Sequence, residues 1–150
     1  MTTIADLEEV QLQQHLISGG FLTSFTDIFG NVQDAPIVQL LEMDLTDIQE
    51  SDRVVMIRNT GGISNPATGT FFVQRNMLIS IVGQQGSTDS VIVKGLSKDM
   101  DKWLKQNITN GECMFNIQSS GVSGPFITED SRRAYEINLQ VSFNIDRPTF

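Results

Sequence analysis

From Arg133 to Ile145 apolar and polar residues alternate without a break. Tyr135, Ile137, Leu139, Val141, Phe143 and Ile145 stand against Glu136, Asn138, Gln140, Ser142 and Asn144. A period of two is the pleat of a β-strand, so the pattern predicts a strand with one apolar and one polar face, as antiparallel sheets have. The apolar face needs a cover. Ile92, Val93, Leu96, Met100, Trp103 and Leu104 supply one, because their spacing makes one broad apolar stripe on a helix. That helix is expected to begin after a cap at Ser87 or Thr88 and to run to about Gln106. One apolar helix face and one apolar sheet face imply an α+β fold, a two-layer sandwich in which a mainly antiparallel sheet packs against one long helix.

Further strands fit this frame. Arg53–Arg58 and Thr70–Val82 are β-rich runs, joined by the turn-forming loop Asn59–Gly69, which predicts a hairpin with a long tip. Phe71, Val73, Met77, Ile79 and Ile81 share one face of its second strand, and Arg75 interrupts it, so the distal hairpin is expected to leave the core. Glu112–Gln118 also alternates, which places Cys113, Phe115 and Ile117 on one face. Ser119–Pro125 reads as a connection, followed by a short extended piece at Phe126 and Ile127.

The first third is helical or mixed. Thr3–Ile17 predicts a helix through Ile4, Leu7, Leu12 and Leu16, stopped at Gly19 and Gly20. Phe21–Val32 is ambiguous. Asp34 before Pro36 predicts a helix start, with Ile37, Leu40, Leu41, Leu45 and Ile48 at near-helical spacing; a short strand over Pro36–Leu41 is the alternative. With 150 residues the chain fits one domain, 1–150, made of an acidic segment of about 1–52 and a sheet–helix–sheet core of about 53–146.

Charge divides the chain at the same place. Met1 to Asp52 holds ten carboxylates and no Lys or Arg, whereas ten basic residues meet eight acidic ones from Arg53 onward, so −10 and +2 make up the net −8. Glu42, Asp44, Asp47, Glu50 and Asp52 are the dense part of the acidic third. Lys94, Lys98 and Lys105, with Lys102 beside them, fall on the outer side of the long helix. The two sets are candidate complementary surfaces between copies of the chain, and the competing reading of each is a solvated face. The overall sign disfavours a nucleic-acid groove.

Residues for chemistry are few. One histidine, His15, has no Cys or His at metal-ligand spacing around it, and Cys113 on a strand reads as a structural thiol. Gly83-Gln84-Gln85-Gly86-Ser87-Thr88 has the form of a strand-to-helix phosphate turn without the lysine that would supply the cation. The acidic run 42–52 does not match a calcium loop. No catalytic residue, metal or cofactor is expected. A single cysteine and an acidic N-terminus without an apolar segment point to assembly in the cytosol, and no run of about 20 apolar residues is present to cross a membrane.

Over roughly the last two-thirds, Arg53 to Asp146, the chain resembles the small tail terminator proteins of long-tailed, non-contractile bacteriophages. The residues that carry this are Val55-Met56-Ile57-Arg58-Asn59-Thr60-Gly61-Gly62, then Phe72-Val73 and Leu78 to Gly83. Asn110-Gly111-Glu112-Cys113-Met114-Phe115-Asn116-Ile117-Gln118 follows, with Gly121, Pro125, Glu129 and the alternating last strand. The chain departs from the family at Glu129-Asp130-Ser131, where members often have Glu-Gly before the final strand.

The resemblance implies a virion protein of the tail's head-proximal end. Such a protein forms a hexameric ring of identical subunits, caps the tail tube protein, ends tube growth and offers a surface to the head-completion or neck protein, while genomic DNA passes through without specific binding. Arg58, Asn59, Gly61, Gly62 and Arg75 are then candidate residues for docking the hairpin on a neighbour or the tube. Two alternatives stand beside this reading. One is a neck connector protein of the same phage; the other is a small-molecule-binding or hydrolytic α+β domain using Gly83–Thr88.

Overall fold

The alternating segment is the strand that organises the molecule. The computed structural model describes residues 7–61 and 72–144. In chain order the elements are α1 (Glu8–Ser18), β1 (Phe25–Thr26), β2 (Val32–Gln33), β3 (Ile37–Leu40), β4 (Val54–Gly61), β5 (Phe72–Gln85), α2 (Ser90–Gln106), β6 (Met114–Ile127) and β7 (Arg132–Asn144). Five strands form one sheet in the order β3-β4-β5-β7-β6, and β1 and β2 make a separate small antiparallel pair. All pairs in the large sheet are antiparallel except β3 with β4, which are parallel.

Tyr135, Ile137, Leu139, Val141 and Phe143 all point into the core, while Ile145 lies outside the described residues. Both helices cover that same face. Val93, Leu96, Met100 and Leu104 of α2 and Leu12 and Leu16 of α1 close over Val55, Ile57, Met77, Ile79 and Ile81. This is the expected α+β sandwich, with a mostly antiparallel sheet and a second, shorter helix in the helical layer.

Three expectations are corrected. Ile37–Leu40 is not helical but a strand, β3, which is the alternative expected over Pro36–Leu41, and the chain beyond it to Asp52 contains no α-helix. The near-helical spacing there is coincidental, and pairing with β4 in register Ile37↔Val54 to Leu40↔Ile57 decides the conformation. Local propensity is a weak prior where an open sheet edge offers a ladder.

The second correction is at β6. Met114 and Ile117 are the buried residues, rather than Cys113 and Phe115. Asn116 adopts a left-handed conformation (φ 53°), and the register with β7 shifts between Phe115 and Gln118. A bulge of this kind inserts an unpaired residue and so reverses which side chains face inward. Ser119–Pro125 is the third case: it continues β6 as an edge strand, with further register shifts between Ser119 and Val122 and between Ser123 and Phe126. Repeated bulges break up an edge that would otherwise template pairing with another chain.

Candidate assembly surfaces

Residues 41–52, the dense part of the acidic third, cross the sheet on the face opposite the helices. Leu41, in a left-handed conformation (φ 77°), turns the chain away from β3. Met43, Leu45 and Ile48 then pack against Val54, Val82 and Ala134, a small second core on the reverse of the sheet. Arg132, 1% exposed, holds the segment down through its backbone. Its Nη2 donates to the Gln49 carbonyl (2.6 Å), its Nη1 to the carbonyls of Asp52 (2.7 Å) and Gly83 (3.1 Å), and its Nε to Asp130 Oδ2 (2.6 Å).

Because the anchor grips carbonyls, the carboxylates of Glu42, Asp44, Asp47 and Glu50 stay exposed, and that of Asp52 is half-exposed. Asp44 Oδ1 accepts the Thr46 N–H (3.0 Å) and Asp52 Oδ2 accepts the Gln49 N–H (3.1 Å). Hydrogen bonds from the Thr46 side chain and backbone hold the Asp44 carboxyl below its ordinary range against a smaller opposing effect of burial.

Lys94, Lys98, Lys102 and Lys105 are all exposed on α2. Lys105 is committed within its own helix, with Nζ 2.9 Å from Asp101 Oδ2. α2 lies on one face of the sheet and the 41–52 segment on the other, so one chain does not bring the basic and acidic sets together.

The Gly83–Thr88 turn already holds an anion of its own chain. Asp89, not Ser87 or Thr88, occupies the N-cap position, and no side-chain cap bond is formed there. The buried Asp89 carboxylate accepts the Gln84 N–H (2.9 Å) and pairs with both sides of the Arg53 guanidinium, Nε to Oδ2 at 2.8 Å and Nη2 to Oδ1 at 2.6 Å. A Cβ on Gly83 would come within 3.0 Å of that carboxylate. A phosphate could enter only by displacing a buried, bidentate ion pair, whose breakage costs about 3–5 kcal/mol.

At the hairpin stem Arg58 is exposed. Asn59 Oδ1 accepts the Gly61 N–H (2.8 Å), and Gly61 has φ 122°, a conformation open to glycine. Arg75 reaches back to α1, with Nε 3.3 Å from Glu8 Oε1. Gly62 and the rest of the loop, 62–71, lie outside the described residues.

The first-third region that sequence reasoning left unassigned carries a group of highly exposed apolar residues. β1 and β2 pair with Phe25 opposite Gln33 and Thr26 opposite Val32. The buried Asp27 ties their turn: its Oδ1 accepts the N–H groups of Phe29 (2.8 Å) and Asn31 (3.0 Å), and its Oδ2 accepts Gln33 Nε2 (2.8 Å). Burial tends to raise the Asp27 carboxyl, but these hydrogen bonds and nearby Arg53 hold it below the ordinary range. Ile28, Phe29 and Val32 stand out at 58%, 66% and 77% exposed. Asp27 followed by Gly30-Asn31 between two short β-prone pairs was the available signal, because Asp, Gly and Asn together favour tight turns.

His15 and Cys113 both line a cleft of about 490 Å³ between the two helices and the Thr109–Cys113 loop. His15 Nε2 bonds the Asn107 carbonyl (2.9 Å), its ring lies 4.6 Å from that of Trp103, and burial holds its pKa below the ordinary value against that hydrogen bond. Cys113 donates to Gln11 Oε1 (2.8 Å). Among the described residues no three His, Cys, Asp or Glu side chains gather as a metal site, and no helix is long and apolar enough to cross a membrane.

Comparison with known families gives a match to one described as phage tail termination protein, over residues 19–145. The match begins within the first third and so takes in the hairpin β1–β2 and the acidic crossing, beyond the two-thirds that carry the resemblance in the sequence. No curated protein matches the chain.

Proposed function

The chain belongs to the phage tail termination protein family, a structural component of a tailed phage's virion, and from that premise we propose that it closes into a ring on the head-proximal end of the tail tube. There the ring ends addition of tube subunits and presents the surface to which the head-completion protein attaches; genomic DNA passes through its centre. The protein works by contact and carries out no catalytic step. The family match over 19–145 carries this reading.

The structure supports it with its two-sided character. An acidic surface on one face of the sheet and a basic helix on the other allow successive copies to meet head to tail, and a head-to-tail contact closes into a ring when its rotation divides a full turn. Arg58, Asn59 and Gly61 on β4, with Arg75 on the loop-proximal part of β5 and Gly62 next in the sequence, form the docking element toward the tube or the adjacent subunit. Electron microscopy of particles made without this protein tests the assignment. Overlong tails are the expected result; tails of normal length with leaking heads would assign it to the neck instead.

A further inference from the structure

We propose that the β1–β2 hairpin is the knob of the subunit–subunit contact and that its socket is the acidic-rimmed apolar shelf on the reverse face of the next copy. This rests on the ring reading above and specifies the surfaces that close it. Ile28, Phe29 and Val32 make this turn an exposed apolar feature, and Asp27 fixes it by accepting hydrogen bonds from the Phe29 and Asn31 N–H groups and from Gln33 Nε2. A projection already rigid in the free chain loses little conformational freedom on docking, so its apolar area contributes more fully to affinity. Ile28 leans on α2 at Gly95, where a Cβ would meet its Cγ2 at 2.7 Å. Lys98, with Asp99 beside it, lies one turn along that helix from Gly95, and Lys94 adjoins it. The knob thus sets exposed apolar residues beside the helix face that carries Lys94 and Lys98, with Asp99 between it and the core.

The reverse face carries its complement. Met43, Leu45 and Thr46 face Thr128, Glu129 and Asp130 across a shallow groove of about 460 Å³. Met43 and Leu45 are partly exposed there, and Leu41 is 56% exposed beside them. Glu129 and Asp130 line this groove, and Glu42, Asp44 and Asp47, the chain neighbours of Met43, Leu45 and Thr46, are exposed, as is Glu50 further along the segment. Apolar centre meets apolar centre, and the α2 lysines meet the acidic rim. Complementary rims of this kind fix register and exclude wrong pairings, while the desolvated centre supplies most of the affinity. Knob and socket lie on opposite faces of one sheet, so the occupant of each socket is a second copy of this chain and the contact propagates from copy to copy.

Charge reversal across the contact is the test. Lys94→Glu with Lys98→Glu makes an acidic knob, and Glu42→Lys with Asp47→Lys makes a basic socket. All four side chains are exposed, and thermal melting of each variant checks that it remains folded. Sedimentation is measured for each variant alone and in the presence of tail tubes. Like charges face each other in either variant alone, so ring formation is expected to weaken by about a hundredfold. A one-to-one mixture restores opposite charges at every contact of an alternating ring, and is expected to recover assembly. Phe29→Asp is expected to abolish assembly without rescue by either partner.

Rings that form undiminished in the charge variants or in Phe29→Asp overturn the knob and socket while leaving the ring itself standing. Loss of assembly in both charge variants without recovery in the mixture shows that the surfaces do not face each other, and likewise overturns the pairing. A wild-type chain that stays monomeric both free and on tube ends removes the ring, and this contact with it.

Discussion

Replacing Arg132 with Met keeps most of the side chain's volume and removes its charge and all of its donors. Four hydrogen bonds of 2.6 to 3.1 Å then disappear, to Gln49, Asp52, Gly83 and Asp130. Bonds from a charged donor contribute about 1.5–3 kcal/mol each, and an acceptor left buried without a partner costs about 1–3 kcal/mol. These do not all add. Asp130 is about a third exposed and regains water, and the Gln49 and Asp52 carbonyls do so when the segment lifts. The Gly83 carbonyl, under the sheet end, is the one left without compensation. A net loss of about 3 kcal/mol is therefore expected, a large share of a domain's usual stability of about 5–15 kcal/mol. Arg132→Lys, which keeps the charge but can reach fewer carbonyls, is expected to lose about half as much. Urea unfolding measures the loss, and hydrogen exchange is expected to rise through 42–52 while β7 remains protected. A loss below about 1 kcal/mol with the segment still protected would refute Arg132 as the anchor and assign its attachment to Met43, Leu45 and Ile48 alone.

Asp89→Asn leaves the Arg53 guanidinium buried without its counter-charge and is expected to cost about 3–5 kcal/mol by chemical denaturation. Gly19→Ala would set a Cβ 2.4 Å from the Trp103 ring and is expected to cost about 1–3 kcal/mol. In Gly95→Ala the new Cβ would lie 2.7 Å from the branch methyl Cγ2 of Ile28, which moves only with the stiff χ1 of that residue, so the helical gain of about 1 kcal/mol is expected to offset part of the clash and the loss to be smaller than in Gly19→Ala; melting temperatures of the pair check the contrast. Acid stability is expected to fall in two stages. His15 is held below its ordinary pKa by burial, so as the pH drops below about 6.5 the unfolded chain takes up a proton that the folded one resists, and stability declines. His15→Gln is expected to remove that stage. Asp27, Asp44 and Asp130 are held low in the fold, so their contribution is present above the ordinary carboxylate pKa of about 3.9 and is lost as the pH falls through their lower folded values. Denaturation midpoints across the pH range check both stages.

The elements legible in the sequence are those whose own periodicity matches what they bury. β7 and α2 each present one long apolar face, so their conformation, their inward residues and the α+β sandwich follow from the order of residues alone. α1 follows similarly, through Leu12 and Leu16. The division between an acidic first third and the rest was equally plain, as was the scarcity of residues suited to catalysis. Where an element is short or irregular the reading was incomplete. Nothing local distinguishes β3 from a helix, because its strand conformation comes from pairing with β4, a partner more than a dozen residues away. The bulge at Asn116 cannot be seen in an alternating run, since a single left-handed residue reverses which of its neighbours are buried.

The candidate surfaces divide in the same way. Exposed lysines on α2 and carboxylates in 42–50 could be named from composition, because charge avoids the interior unless it is paired. That they lie on opposite faces of one sheet, that Lys105 is already paired with Asp101, and that Arg132 and Arg53 are buried anchors rather than surface charges were decided only by the tertiary structure. So was the exposure of Phe29 and Val32, residues that hydrophobicity alone would send to the core. Whether an apolar side chain is buried depends on what lies opposite it, and that is a property of the folded chain's long-range contacts, to which the residues near it in sequence contribute little.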